Sequence, residues 1–342
     1  MSGQAYYYYY YSRMQLVEKE TYHALLVGLQ NLSPAIRVPR LNGEQLSRLF
    51  FQLRLDHPEV FYAVGYSCRG SIGAESWDFL PDYMFQKAKI QEHQKALKAR
   101  MERVLRPARA LDEKDRERYI HDFILDNVRY DKLEKQYSHE IIGPMTNGVG
   151  VCEGIAKTVK LLCDALEIPC MIPISDRDRA NGEKYLHAWN IITIGGKRYH
   201  MDATFDNTLS KGGVKRYDYF NLNDEKIFRD HRALLYSAPN CTDGDRFWYK
   251  EQKLSFTKME DVENRIDQAI RKKREIYVFH WRGGYLTREV LIELCERIEK
   301  TAAARQKGVE ISVNWPQAVL QVRFTDQKPM SIIDEDAGED VQ

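Results

Sequence analysis

Apolar residues in the first part of the chain recur at helical spacing in two places. Leu16, Tyr22, Leu25, Leu26 and Leu29 do so within residues 12–30, and Leu46, Leu49, Phe50 and Leu53 between Gly43 and Leu55. The pattern predicts two amphipathic helices that pack on each other. Asp56-His57-Pro58 should end the second, because a residue before proline is pushed out of the α region. The aromatic and β-branched run Val60–Tyr66 then reads as a strand. A long, charge-rich helix is expected over 83–105, ending near Pro107. Another should run from Asp112, a natural N-cap, to Val128, with Ile120, Phe123, Ile124 and Val128 on its apolar stripe. His121 lies beside that stripe and reads as a packing or surface residue. Ahead of these elements stand six tyrosines, Tyr6–Tyr11, expected to form a strand-prone or disordered leader.

From Gly143 to Val151 the chain is rich in glycine, and then Ile155, Val159, Leu162 and Leu166 set up a new helix with Cys152 at the junction. A polar loop from Pro173 to Lys184 leads to two strand-like runs, His187–Ile194 and Lys197–Ala203, separated by Gly195-Gly196 in the manner of a hairpin. Beyond Ser255 a helix (262–270), a strand (276–280), a Gly283-Gly284 turn, a second helix (288–304) and two strands near 309–324 make a small α+β domain without a chemical motif. Five of the last nine residues are acidic, which favours a disordered tail. The expected organisation is a mainly helical region (1–110), a central core (111–250), the small α+β domain (255–330) and the acidic tail (331–342).

With 342 residues and 43% hydrophobic content the chain can bury substantial cores, and 51 Lys and Arg against 50 Asp and Glu give no global pull toward nucleic acid or an acidic membrane. Cys68, Cys152, Cys163, Cys170, Cys241 and Cys295 are too scattered for a disulfide framework and read mostly as thiols. No apolar stretch reaches the roughly 18 residues of a membrane span, and no signal-peptide layout opens the chain, so a cytoplasmic location is expected. Neither a C-x-x-C pair nor an H-E-x-x-H helix is present, and no metal or organic cofactor is expected.

Cys152 is the first candidate for chemistry. A cysteine in the first turn of a helix meets the positive end of the macrodipole, which favours thiolate over thiol, and nearby backbone N–H groups can stabilise an oxyanion. Gly148 and Gly150 before it and Gly154 after it would permit a tight entry turn and let a substrate backbone approach closely. In a two-residue hairpin Ile194 pairs with Lys197, so that Trp189 falls opposite Asp202 and His187 opposite Thr204. His187 and Asp202 then share a face as diagonal neighbours, where an Asp–His hydrogen bond is within reach. His200 falls on the same face and reads as a packing neighbour. A nucleophile, a base and a carboxylate that orients the base make up a generalised triad: Cys152, His187 and Asp202.

Three stretches, Gly148-Val-Gly-Val-Cys152-Glu-Gly154, His187-Ala-Trp-Asn190 and Tyr199-His-Met-Asp202-Ala-Thr204, resemble the signature blocks of the transglutaminase-like superfamily. Upstream, Ile120-His-Asp-Phe and Asn127-Val-Arg-Tyr130-Asp resemble the helix that precedes the nucleophile block in bacterial members. The resemblance covers roughly residues 111–206. It implies an α+β protein with a papain-like core, in which Cys152 attacks a carboxamide or peptide carbonyl, His187 shuttles the proton and Asp202 holds the imidazole. It also implies a thioester intermediate on a protein or peptide substrate, with hydrolysis by a peptidase or amidase ahead of cross-linking. Tyr130 is the positional candidate for a residue near the oxyanion, and Trp189 is expected to pack on the His–Asp pair; Glu153 matches the motif without an assigned role. Specificity residues are expected in loops 174–184 and 208–217. The alternative is a peptide-binding or scaffold module that keeps the groove and has lost turnover.

Overall fold

The computed structural model describes residues 8–71, 73–176, 186–210, 213–326 and 331–334, the last as backbone alone. It mixes helices and strands, and divides into two compact units: Met1–Ile174 with Leu186–Gly196, and Ser175–Tyr185 with Lys197–Gln342.

The first unit opens with a surprise in the tyrosine run. Tyr9–Arg13 form a short helix, α1, where a strand-prone or disordered leader was expected. The reason is a buried carboxylate: Asp56 accepts the backbone N–H groups of Tyr10 (3.3 Å) and Tyr11 (2.9 Å), while the Tyr10 hydroxyl donates to the Ile172 carbonyl at 2.6 Å. Tertiary hydrogen bonds thus override a β-prone composition. Tyr6 and Tyr7 lie outside the described residues.

Helices α2 (Leu16–Gln30) and α3 (Gly43–Asp56) form where predicted and pack together, with Asn42 capping α3 through the Gln45 N–H. Tyr22, Leu25 and Leu29 of the expected α2 stripe are buried, whereas Leu16, in the first turn, is exposed. Between them lies β1 (Ile36–Pro39), and beyond α3 come β2 (Ala63–Arg69) and β3 (Ser76–Tyr83), which join in the antiparallel order β1-β3-β2. This mainly helical region therefore carries a three-stranded sheet of which only one strand is legible in the sequence. That strand also starts later than Val60, since Pro58–Val60 make a 3-10 turn. Two long helices follow, α4 (Lys87–Ala108), whose last turn contains Pro107, and α5 (Glu113–Asn127), capped by Asp112 through the Asp115 N–H. His121 is buried within α5.

The short strands β4 (Arg129–Tyr130) and β5 (Val149–Gly150) pair in parallel just before helix α6 (Cys152–Ala165). Strand β6 (Cys170–Met171) pairs antiparallel with β7 (Asn190–Ile194), and an isolated bridge joins Ile174 to Ala188. Gly195 and Gly196, which end this unit, have φ of 58° and 77°, as a type I′ turn requires.

The second unit starts with β8 (Lys197–Met201), followed by α7 (Ala203–Leu209), β9 (Phe220–Leu222), α8 (Asp224–Ile227) and α9 (Trp248–Glu251). Strands β8 and β9 pair antiparallel. A buried Arg216–Asp218 ion pair, bonded at 3.1 and 2.8 Å, also receives the Tyr249 hydroxyl (2.8 Å) and the Asn314 amide (2.9 Å). The α+β region contains β10 (Ser255–Phe256), α10 (Met259–Arg271), β11 (Ile276–Trp281), α11 (Arg288–Ala303), β12 (Gly308–Asn314), β13 (Val319–Thr325) and β14 (Ser331–Asp334). Its sheet runs β10-β11-β13-β12-β14 and encloses its own apolar core, in which Val262, Ile266, Leu294 and Ile298 from the helices meet Phe279, Ile311 and Val322 from the sheet. Residues 331–334, assigned to the acidic tail from the sequence, are this last strand, parallel to β12; 335–342 lie outside the described residues.

Candidate functional site

Cys152 is the first residue of α6 and is largely buried. Val151 caps the helix without a side-chain acceptor, so the positive end of the dipole faces the thiol. Two features of the chain fix this helix start. The first is close backbone packing at Gly154: a Cβ there would stand 2.1 Å from the Ser138 carbonyl oxygen, which itself accepts the Val151 N–H at 3.0 Å. The glycine expected to admit a substrate backbone instead admits the protein's own.

The second is a charge cluster. Lys157, fully buried, binds Glu140 at 2.8 Å and Glu153 at 2.7 Å; Arg54 from α3 pairs with Glu140, and His139 lies 3.6 Å from Glu153. Burial works against an ionised Glu153, yet Lys157, His139 and Arg54 hold its carboxyl far below the usual range. His139 is raised in turn, chiefly by the neighbouring Glu153 carboxylate, against the opposing effect of burial. Glu153, the motif residue without an assigned role, thus anchors α6, the helix that Cys152 starts.

The Cys152 sulfur lies 3.8 Å from the carbonyl oxygen of Leu186, the residue immediately before His187. The Asn190 side chain makes a second connection between the same elements: its Nδ2 donates to the Ala156 carbonyl of α6 at 3.0 Å and lies 3.4 Å from the Cys170 sulfur of β6. Asn190, which stands in the histidine block, thus ties that block to α6 and β6. Trp189 is buried and stacks on the His187 ring, with centroids 5.7 Å apart and planes at 19°. Tyr130 pairs with Gly150 in the β4–β5 ladder, two residues upstream of the cysteine.

His187 and Asp202 lie beyond the strand ends on which the expected hairpin register would place them. Strand β7 begins at Asn190 and β8 ends at Met201, so His187 and Trp189 precede the first strand and Asp202 follows the second. Asp202 is held by different means. It is the N-cap of α7, where Oδ1 accepts the N–H groups of Thr204 (2.8 Å) and Phe205 (3.0 Å). Its Oδ2 meets Nε2 of the buried His231 at 2.9 Å, and Nδ1 of that ring lies 2.9 Å from Asp230. Burial opposes the imidazolium, but hydrogen bonds to Asp202 and Asp230 raise its pKa above the ordinary value. His231 was not singled out from the sequence; Phe228-Arg-Asp-His231 carries no motif, and only the fold brings it to Asp202. His200 pairs with Asp224 at 2.8 Å. All six cysteines are thiols.

Among the described residues no helix is long and apolar enough to cross a membrane. No curated protein matches the chain. Two solved structures resemble parts of it. One, described as a TGase, is 11% identical, with 42% of this chain and 44% of that one aligned at a TM-score of 0.29. The other, from Cytophaga hutchinsonii and provisionally described as a cysteine protease, is 16% identical over 41% of this chain and 61% of that one, at a TM-score of 0.27. The chain thus spans less than two thirds of either. The family profile of the transglutaminase-like superfamily matches residues 102–203, from the end of α4 to the start of α7, and over this segment the chain is thus similar to that superfamily.

Proposed function

We propose that the chain is a cysteine-dependent acyl transferase acting on amides of proteins or peptides. In this reading Cys152 is the nucleophile, His187 takes its proton and returns it to the leaving amine, and Asp202 orients the imidazole. Attack on the amide carbon forms a tetrahedral intermediate; loss of the amine leaves a thioester, and water releases the acid. Hydrolysis is preferred over transfer to an amine. Tyr130 is assigned to the surroundings of the oxyanion, and Trp189 to keeping the His187 ring in place.

The observation that carries this reading is the Cys152 thiol, in the first turn of α6 and against the Leu186 carbonyl beside His187. Incubating the protein with a peptide mixture and digesting it for mass spectrometry should reveal an acyl adduct on Cys152. Cys152→Ala should carry none, and His187→Ala should slow its formation by roughly 10²–10⁴-fold. If no adduct forms and iodoacetamide alkylates Cys152 no faster than a simple thiol, the chain is a binding module and the catalytic reading is wrong.

A further inference from the structure

In the second unit, three side chains of different elements converge: His200 on β8, Asp224 at the start of α8, and Cys241 in the loop beyond it. One donor atom from each lies within 4.8 Å of the others. We propose that His200, Asp224 and Cys241 form a binding site for a zinc-like divalent transition metal, with water as the fourth ligand.

The donor set suits such an ion. Imidazole nitrogen, thiolate sulfur and carboxylate oxygen are the ligands zinc takes, at about 2.0–2.3 Å in a tetrahedron, which places donors roughly 3.3–3.7 Å apart. That separation falls between the 2.8 Å His200–Asp224 contact and the 4.8 Å outer bound of the cluster, so small side-chain rotations would close the site. Charge favours it as well: a divalent cation, one thiolate, one carboxylate and a neutral imidazole sum to zero, which suits a largely buried location. The Cys241 thiol proton passes to solvent on binding, and the proton on His200 Nε2 moves to Nδ1.

The frame around the donors is fixed. Asp224 donates its N–H to the Cys241 carbonyl at 2.8 Å, and Cys241 donates its N–H to the outer carboxylate oxygen of Asp224 at 2.9 Å. That second bond is the kind of outer support that orients a ligating carboxylate. His200 pairs across the β8–β9 ladder with Leu222, two residues before Asp224, and its ring meets Phe228 edge-on. His200 and Cys241 are buried, whereas the Asp224 side chain is 35% exposed, which gives the ion its route in and water its place. The three donors are too far apart in sequence to form a spacing motif, and for this reason only the fold brings them to notice.

Titrating the full chain with Co²⁺, a spectroscopic stand-in for zinc, tests the site. One ion per chain should bind and give a thiolate-to-cobalt charge-transfer band that zinc then abolishes. The band should persist in Cys152→Ala and vanish in Cys241→Ser. Asp224→Asn, a change at a partly exposed position that the fold should tolerate, should weaken binding by at least roughly tenfold. Saturating zinc should raise the Tm of the wild type by about 5 °C and leave that of Cys241→Ser unmoved. Absence of the band in the wild type, its survival in Cys241→Ser or its loss in Cys152→Ala would each overturn the proposal.

Discussion

His231 shows how a single buried side chain can set a pH dependence. Both ring nitrogens face carboxylates, Asp202 on one side and Asp230 on the other, and its pKa is raised in the folded state. A raised histidine pKa means the folded state binds the proton more tightly than the unfolded state. Its contribution is therefore fully present below the ordinary imidazole pKa and is lost as pH climbs through the raised value. Urea denaturation at a series of pH values should show stability falling over that interval. His231→Ala should remove this slope and cost about 3–5 kcal/mol at acidic pH, because it leaves the fully buried Asp202 without its cation. An unchanged slope in the variant would show that the pH dependence arises elsewhere.

Among the elements, α6 matters most, since its start sets the position of Cys152, the proposed nucleophile. The Lys157 ammonium sits one turn beyond Cys152 and binds two carboxylates that belong to different segments. Lys157→Met keeps the length and apolar stem of the side chain but leaves Glu140 buried and short of a partner, and should cost about 3–5 kcal/mol. Denaturant melts would measure that loss, and a cost under about 1 kcal/mol would mean the cluster contributes little. This helix was readable in the sequence because its apolar stripe and the glycine-rich lead-in are local signals. The Asp112 cap and the helices and inner strands of the C-terminal α+β region were readable for the same reason. The strands β1 and β3 were not: Ile36–Pro39 is too short for alternation to register, and Ser76–Tyr83 mixes polar, aromatic and proline positions. The register argument for His187 and Asp202 assumed that strand pairing continues to the ends of both apolar runs. It stops earlier, since Asp202 starts a helix, a choice governed by its side chain capping Thr204 and Phe205.

For the molecule as a whole, the candidate chemistry is concentrated in blocks that are contiguous in sequence, and such blocks can be recognised before any fold is known. Features assembled from distant segments, such as the Asp56 anchor of α1, the His231–Asp202 pair and the His200–Asp224–Cys241 cluster, cannot. The C-terminal sheet illustrates the same division. Its helices and inner strands announce themselves, but the acidic composition after residue 330 conceals β14, which covers the outer edge of β12 through backbone pairing. Truncation after residue 326 should bare that edge, and an uncovered strand edge invites pairing with another chain. Size-exclusion chromatography should then show concentration-dependent association that the full chain lacks; a monodisperse truncated protein with the elution behaviour of the full chain would refute this role for β14.

The docking of α1 also bears on how this chain can vary. Asp56 recognises backbone N–H groups, and the pocket beneath Tyr10 is filled by one member of a run of identical residues. Adding or deleting one tyrosine would leave the same Tyr-Tyr-Tyr-Ser-Arg segment to dock, with the change in length absorbed upstream of the helix. The repeat is therefore a place where a tyrosine can be gained or lost while the docked helix keeps the same residues.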